Sequence, residues 1–93
     1  DSIEGVTVKV LTDNYRQQLK LEEDIEGLVV VEVAQDSNAA HQGLRKGDVI
    51  TEVNQIRVNS FKTFKEAVSK NSNKPILLRI LQNGRKSFLA IPR

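Results

Sequence analysis

Val6, Val8 and Val10 alternate with Thr7, Lys9 and Leu11, a period of two that predicts a strand with one buried face. From Asn14 to Leu21 the chain changes to good helix formers, with Tyr15 and Leu19 on one face, so a short helix capped by Thr12 or Asp13 is expected. Glu22, Glu23 and Asp24 form a charged connector, and Gly27 marks the turn into Leu28–Val33, apolar on both faces as a central strand requires. Ser37 or Asn38 can cap a single helical turn through Ala39, Ala40 and His41, with Gly43 as its left-handed C-terminal residue. Gly47 and Asp48 make a second turn before a strand at Val49–Asn54 and an edge piece at Ile56–Val58.

Ser60 is placed to cap a helix from Phe61 to about Lys70, with Phe61, Phe64, Lys65 and Val68 on one stripe and Glu66 and Lys70 as an i, i+4 pair. Asn71, Ser72, Asn73 and Lys74 end it before Pro75. A hairpin closes the chain: Ile76–Gln82, an Asn83-Gly84 pair suited to a type I′ turn, and Lys86–Ile91. The pattern is α+β, five or six short strands with two substantial helices and a sheet that closes partly on itself. Val8, Val30, Ile50, Phe64, Leu78 and Ile80 are the expected core.

Length and composition narrow the function. Ninety-three residues, 39% of them apolar, suit one domain with a modest core and room for one site. The lack of an initiating Met makes a piece of a longer protein the expectation. Zero cysteines exclude disulfides, a thiolate nucleophile and thiolate metal sites, and a lone histidine excludes multi-histidine cages. No apolar run is longer than Leu28–Val31, which falls far short of the ~20 residues that span a bilayer. The net charge of +2 hides an asymmetry: residues 1–56 carry 5 basic and 11 acidic side chains, residues 57–93 carry 9 and 1. Few aromatics and singly spread cations speak for solvated faces rather than a nucleic-acid surface.

Reactive chemistry finds little support. A Ser-His-Asp arrangement would need His41, which falls in an exposed one-turn helix. The acidic group Glu22, Glu23, Asp24 and Glu26 lacks the alternating ligands and central glycine of a calcium loop. What remains is a site made by the backbone. The segment Ile3-Glu4-Gly5-Val6, the strand after it and the helix from Phe61 have the parts of a groove that accepts an extended peptide as an extra strand, with loop N–H groups to hold a carboxylate.

Ser37-x-Ala39-Ala40-x-x-Gly43-Leu44-x-x-Gly47-Asp48-Val49-Ile50, followed by Val53-Asn54 and the helix near Phe61, resembles the central signature of bacterial-type PDZ domains. Leu11-Thr12, Tyr15-Arg16-Gln17-Gln18-Leu19 and Gly27-Leu28-Val29-Val30 are similar to the HtrA/Do (DegP/DegQ-like) serine proteases, within them to the second of two PDZ domains. The resemblance implies a single PDZ domain over residues 1–93: a partly closed antiparallel sandwich or barrel of five to six strands, one long and one or two short helices, and permuted strand order. It implies a carboxylate loop at Ile3, Glu4, Gly5 and Val6, a pairing strand including Thr7, Val8, Lys9 and Val10, and a helix wall at Phe61, Lys65 and Val68.

One position departs from the family pattern. Glu4 stands where an apolar residue is usual, and pointing inward it would repel a ligand carboxylate, with Lys65 offsetting part of the effect. The resemblance further implies a non-catalytic interaction module of a periplasmic or other extracytoplasmic protease-chaperone. Its first expected role is inter-subunit or regulatory contact in the parent oligomer; the alternative is capture of extended or C-terminal segments of unfolded proteins. No cofactor, metal, nucleic acid or membrane insertion is expected.

Overall fold

The structure, a computed structural model, describes residues 2–70 and 72–93. In chain order it forms β1 (Val6–Val10), α1 (Asp13–Gln18), β2 (Leu28–Val33), α2 (Asn38–His41), β3 (Val49–Val53), β4 (Ile56–Arg57), α3 (Phe61–Ser69), β5 (Ile76–Gln82) and β6 (Arg85–Ile91). Asn71, expected in the stretch that ends α3, lies outside the described residues. The six strands form one antiparallel sheet in the order β1-β2-β3-β5-β6, with β4 paired to β3.

β1 and β6 are the edges and do not pair with each other among the described residues. The sheet nevertheless curls, because Val6 of β1 and Ile91 of β6, from its opposite ends, enter the same core cluster. That cluster gathers Leu28, Val30, Ile50, Val53, Leu78 and Ile80 from the strands and Phe64, Ala67 and Val68 from α3. Leu11, Val29, Val49 and Leu81 form a second cluster, against which Tyr15, Leu19, Leu21 and Ile25 pack. β2 and β3 are thus covered on both faces at their centre, the reason Leu28–Val31 is apolar throughout.

Local signals place most boundaries. Ser37 and Ser60 cap α2 and α3, and in α3 the Ser60 hydroxyl accepts the Thr63 N–H while the Thr63 hydroxyl accepts the Ser60 N–H. Asn83 and Gly84, with φ of 51° and 80°, form the turn between β5 and β6, and Gly43 has φ of 100°. α1, expected to reach Leu21, stops at Gln18. Lys20 turns left-handed with φ of 57°; its N–H donates to Gln17 O at 3.2 Å and the Leu21 N–H to Arg16 O at 2.8 Å. This is a Schellman closure without the usual glycine. Glu66 and Lys70 make no ion pair, since the α3 backbone is already extended at Lys70. Among the described residues, no helix is long and apolar enough to cross a membrane.

Val10 is 36% exposed and Val8 half-buried, although their alternation with Val6 suggested one buried face. β1 is an edge strand beside α3, and beyond Val6 its inward face opens into a groove instead of the core.

Candidate functional site: the groove between β1 and α3

The loop before β1 is built on close backbone packing. The Val6 N–H donates to Ile3 O at 3.0 Å, and the Ala34 N–H donates to Gly5 O at 2.8 Å, tying the loop to the end of β2. Gly5 has φ of 79°, and a Cβ there would stand 2.7 Å from Ser37 Cβ and 3.1 Å from Ala34 Cβ. Only glycine fits on both counts. Ser37 in turn donates its hydroxyl to Ala34 O at 2.7 Å and accepts the Ala40 N–H at 3.1 Å, so the start of α2 backs the loop. Ile3, 2% exposed, anchors the loop in the core.

Among the described residues β1 is paired on one side only, with β2, and its register slips between Thr7 and Val8 so that Val31 is the extra residue. On its other side lies α3. Between them opens a cavity of about 170 Å³ lined by Ser2, Val6, Thr7, Val8, Phe61, Phe64 and Lys65. Phe61, 48% exposed at the first turn of α3, forms an apolar lip.

The C-terminal end of α3 is pinned from two directions. Asn54 donates Nδ2 to Ala67 O at 2.8 Å and to Lys70 O at 3.2 Å, while its Oδ1 accepts the Leu77 N–H at 3.0 Å. Arg93 donates Nη2 to Val68 O at 2.6 Å and to Lys70 O at 2.9 Å, and Nε to Lys74 O at 2.7 Å. These bonds satisfy carbonyls that a helix end otherwise leaves open, and they fix the groove wall relative to β5.

The structure therefore brings Val6, Thr7, Val8, Phe61 and Lys65 together around one cavity, with Gly5 shaping the loop at its end. Lys9 and Val10 continue the same edge beyond the cavity and are exposed. Ile3 and Val68, at 2% and 5% exposure, belong to the core beneath. Glu4 is exposed and lines a different cavity, with Asp36, Asn38, Ile91 and Pro92. Ser2 and Phe64 also line the groove, and Asn54 and Arg93 hold it; no local pattern distinguishes the latter two, whose partners lie 13 to 25 positions away.

A larger concavity of about 400 Å³ opens on another part of the surface, lined by charges of both signs: Asp24, Glu26 and Glu52 against Arg57, Arg79 and Lys86. Arg79 and Glu52 are already paired there at 3.0 Å. Its mixed, shallow lining offers no directed chemistry. Among the described residues no group of three or more His, Asp or Glu side chains could hold a metal ion.

A family model described as PDZ domain matches residues 4–92. The chain is 43% identical over 86 residues to a probable periplasmic serine endoprotease DegP-like of Pseudomonas fulva, covering 91% of this chain and 17% of that protein. A protein of the same description from Brucella suis is 36% identical over 83 residues, covering 86% of this chain and 16% of its own length. The chain thus spans about a sixth of these relatives. Among solved structures, the HtrA3 PDZ domain bound to a phage-derived ligand (FGRWV) superposes with a TM-score of 0.77 at 25% identity, over 94% of this chain and 79% of that one. The HtrA-type protease AlgW with decapeptide superposes with a TM-score of 0.76 at 33% identity, over 94% of this chain and 27% of that one. With an open-edged β1 beside α3, a glycine-dependent loop at the end of the groove and a family match over nearly its whole length, the chain belongs to the PDZ domains, as a non-catalytic module of the kind found in HtrA-type serine proteases.

Proposed function

We propose that this module captures extended polypeptide segments by adding them as a strand to β1, within a periplasmic serine endoprotease in which it is the second PDZ domain. The observation that carries the reading is the one-sided pairing of β1 next to an apolar cavity of about 170 Å³. The main chain of an incoming segment would satisfy the outward N–H and C=O groups of Thr7–Val10, and one apolar side chain would enter between Val6, Val8 and Phe61. Gly5 holds the loop where a terminal carboxylate would arrive. The peptide-bound state of the HtrA3 and AlgW structures supports the same use of this fold.

A short unstructured peptide loses ordering entropy and gains few bonds, so a dissociation constant of about 10 μM or weaker is expected. An NMR titration with peptides of free and amidated C-termini tests the reading. Amide shifts clustered on Thr7–Val10, Phe61 and Lys65 support it; saturating peptide without shifts there refutes it.

The role of inter-subunit contact rests on a separate observation. Phe88 is 73% and Leu77 48% exposed on the outer face of the β5–β6 hairpin, beside Arg79, whose guanidinium lies 5.6 Å from the centre of the Phe88 ring, so two large apolar side chains there are left for a partner to cover. Replacing both by Ser in the full-length parent protein would shift its assembly state if this face joins subunits, and leave it unchanged otherwise.

A further inference from the structure

We infer that the groove selects extended segments in which apolar residues alternate with acidic ones, an inference that rests on the capture reading above. A strand added to β1 alternates its side chains between two faces. On the α3 side they meet Val6, Val8, Phe61 and Phe64. On the other side they lie beside Lys9. The β2 partner of Lys9 is Val29, a member of the second cluster, so Lys9 stands on the sheet face opposite the groove cavity, exposed.

The charges on β1 itself and at the cavity are positive. Lys65 lines the cavity, Lys62 lies exposed on the same helix, and Lys9 commands the opposite face. Among the described residues the ion pairs are Arg16–Asp13 and Arg79–Glu52, so none of these three lysines is engaged, and no acidic side chain lines the cavity. Glu32 is the nearest acid by register, opposite Thr7 on β2. Distance decides between the two charges. A side chain directly opposite Lys9 on an added strand has its Cβ about 5 Å away. Glu32 lies two strand spacings off, about 10 Å, roughly one Debye length at ~0.1 M salt. Lys9 therefore governs the charge preference of that face.

The same lysine discourages the wrong partner. A second copy of β1 would bring its own Lys9 and Val10 edge against a like charge, whereas an acidic strand turns the lysine into a cross-strand pair.

The test uses the 93-residue chain and three peptides with identical apolar positions and a free C-terminus. They carry Glu, Gln or Lys at the positions that face Lys9, and binding is followed by calorimetry and amide shifts. The expected order is Glu over Gln over Lys, with about a fivefold gap between the extremes that shrinks at ~0.5 M salt. Lys9→Glu is expected to reverse that order, and circular dichroism checks that the variant is folded. Equal affinity of the three peptides, or an order that Lys9→Glu leaves unaltered, overturns the charge preference while the capture reading stands. Binding by none of them overturns both.

Discussion

Asn54 Nδ2 lies 2.8 Å from the carbonyl oxygen of Ala67, so the two-residue turn after β3 closes the last turn of α3. Asn54 is suited to this by two properties. It tolerates the left-handed φ of 49° that the turn requires, and its amide offers donors to α3 and an acceptor to Leu77 of β5 at once. The wall of the groove is thereby referenced to the centre of the sheet.

Replacing Asn54 should loosen that reference. Asn54→Gly keeps the backbone freedom and removes the side-chain bonds, leaving the nearly buried Ala67 carbonyl and Leu77 N–H without their partners. A loss of about 2 kcal/mol is expected in urea unfolding. Asn54→Ala should lose about 1 kcal/mol more from the strained φ. Equal stabilities of the two variants would mean that the turn conformation is not retained.

Two glycines separate strain from collision. A Cβ on Gly43 meets nothing within 4 Å, so Gly43→Ala should show only the cost of its φ of 100°, about 1 kcal/mol. Gly5→Ala adds contact with Ser37 Cβ at 2.7 Å and should destabilise by about 2 kcal/mol or more, with loss of peptide binding. Thermal unfolding and peptide titration of both variants check the contrast.

Ile50 and Phe64 both belong to the main core, at 0% and 3% exposure, and truncation of either to Ala should cost about 2–5 kcal/mol. Only Phe64 also lines the groove. Under conditions where both variants remain folded, Phe64→Ala should weaken peptide binding more than Ile50→Ala, as measured by titration at low temperature.

Glu4 is exposed, so solvent screens its charge from a carboxylate in the groove. Glu4→Leu should change the affinity of free and amidated peptides alike, by less than about twofold. Selective tightening of free-carboxylate peptides, seen by calorimetry, would instead place Glu4 over the groove.

Much of the fold was legible because its signals are local. Alternation at Val6–Val10, the all-apolar Leu28–Val31, the hydroxyls of Ser37 and Ser60 and the Asn83-Gly84 pair each act on neighbours within a few positions, and elements formed where they indicated. The central motif around Gly43-Leu44 and Gly47-Asp48 was legible for the same reason. Of the eleven residues expected to form the site, the ones that share the cavity are those whose place follows from strand alternation or the first turns of α3: Val6, Thr7, Val8, Phe61 and Lys65.

The tertiary structure decided the rest. Val10 is exposed because β1 has a partner on one side only, a fact about the sheet rather than about the valine. Ile3 and Val68 sank into the core, Glu4 stayed exposed beside a different cavity, and α1 was closed by a lysine in a glycine's conformation. Asn54 and Arg93 acquired their roles from carbonyls brought to them by folding. A sequence specifies which residues prefer to be buried, extended or turned, since those preferences reside in each side chain and its nearest neighbours. Which edge stays open and which way a polar side chain faces depend on the element that arrives from elsewhere in the chain.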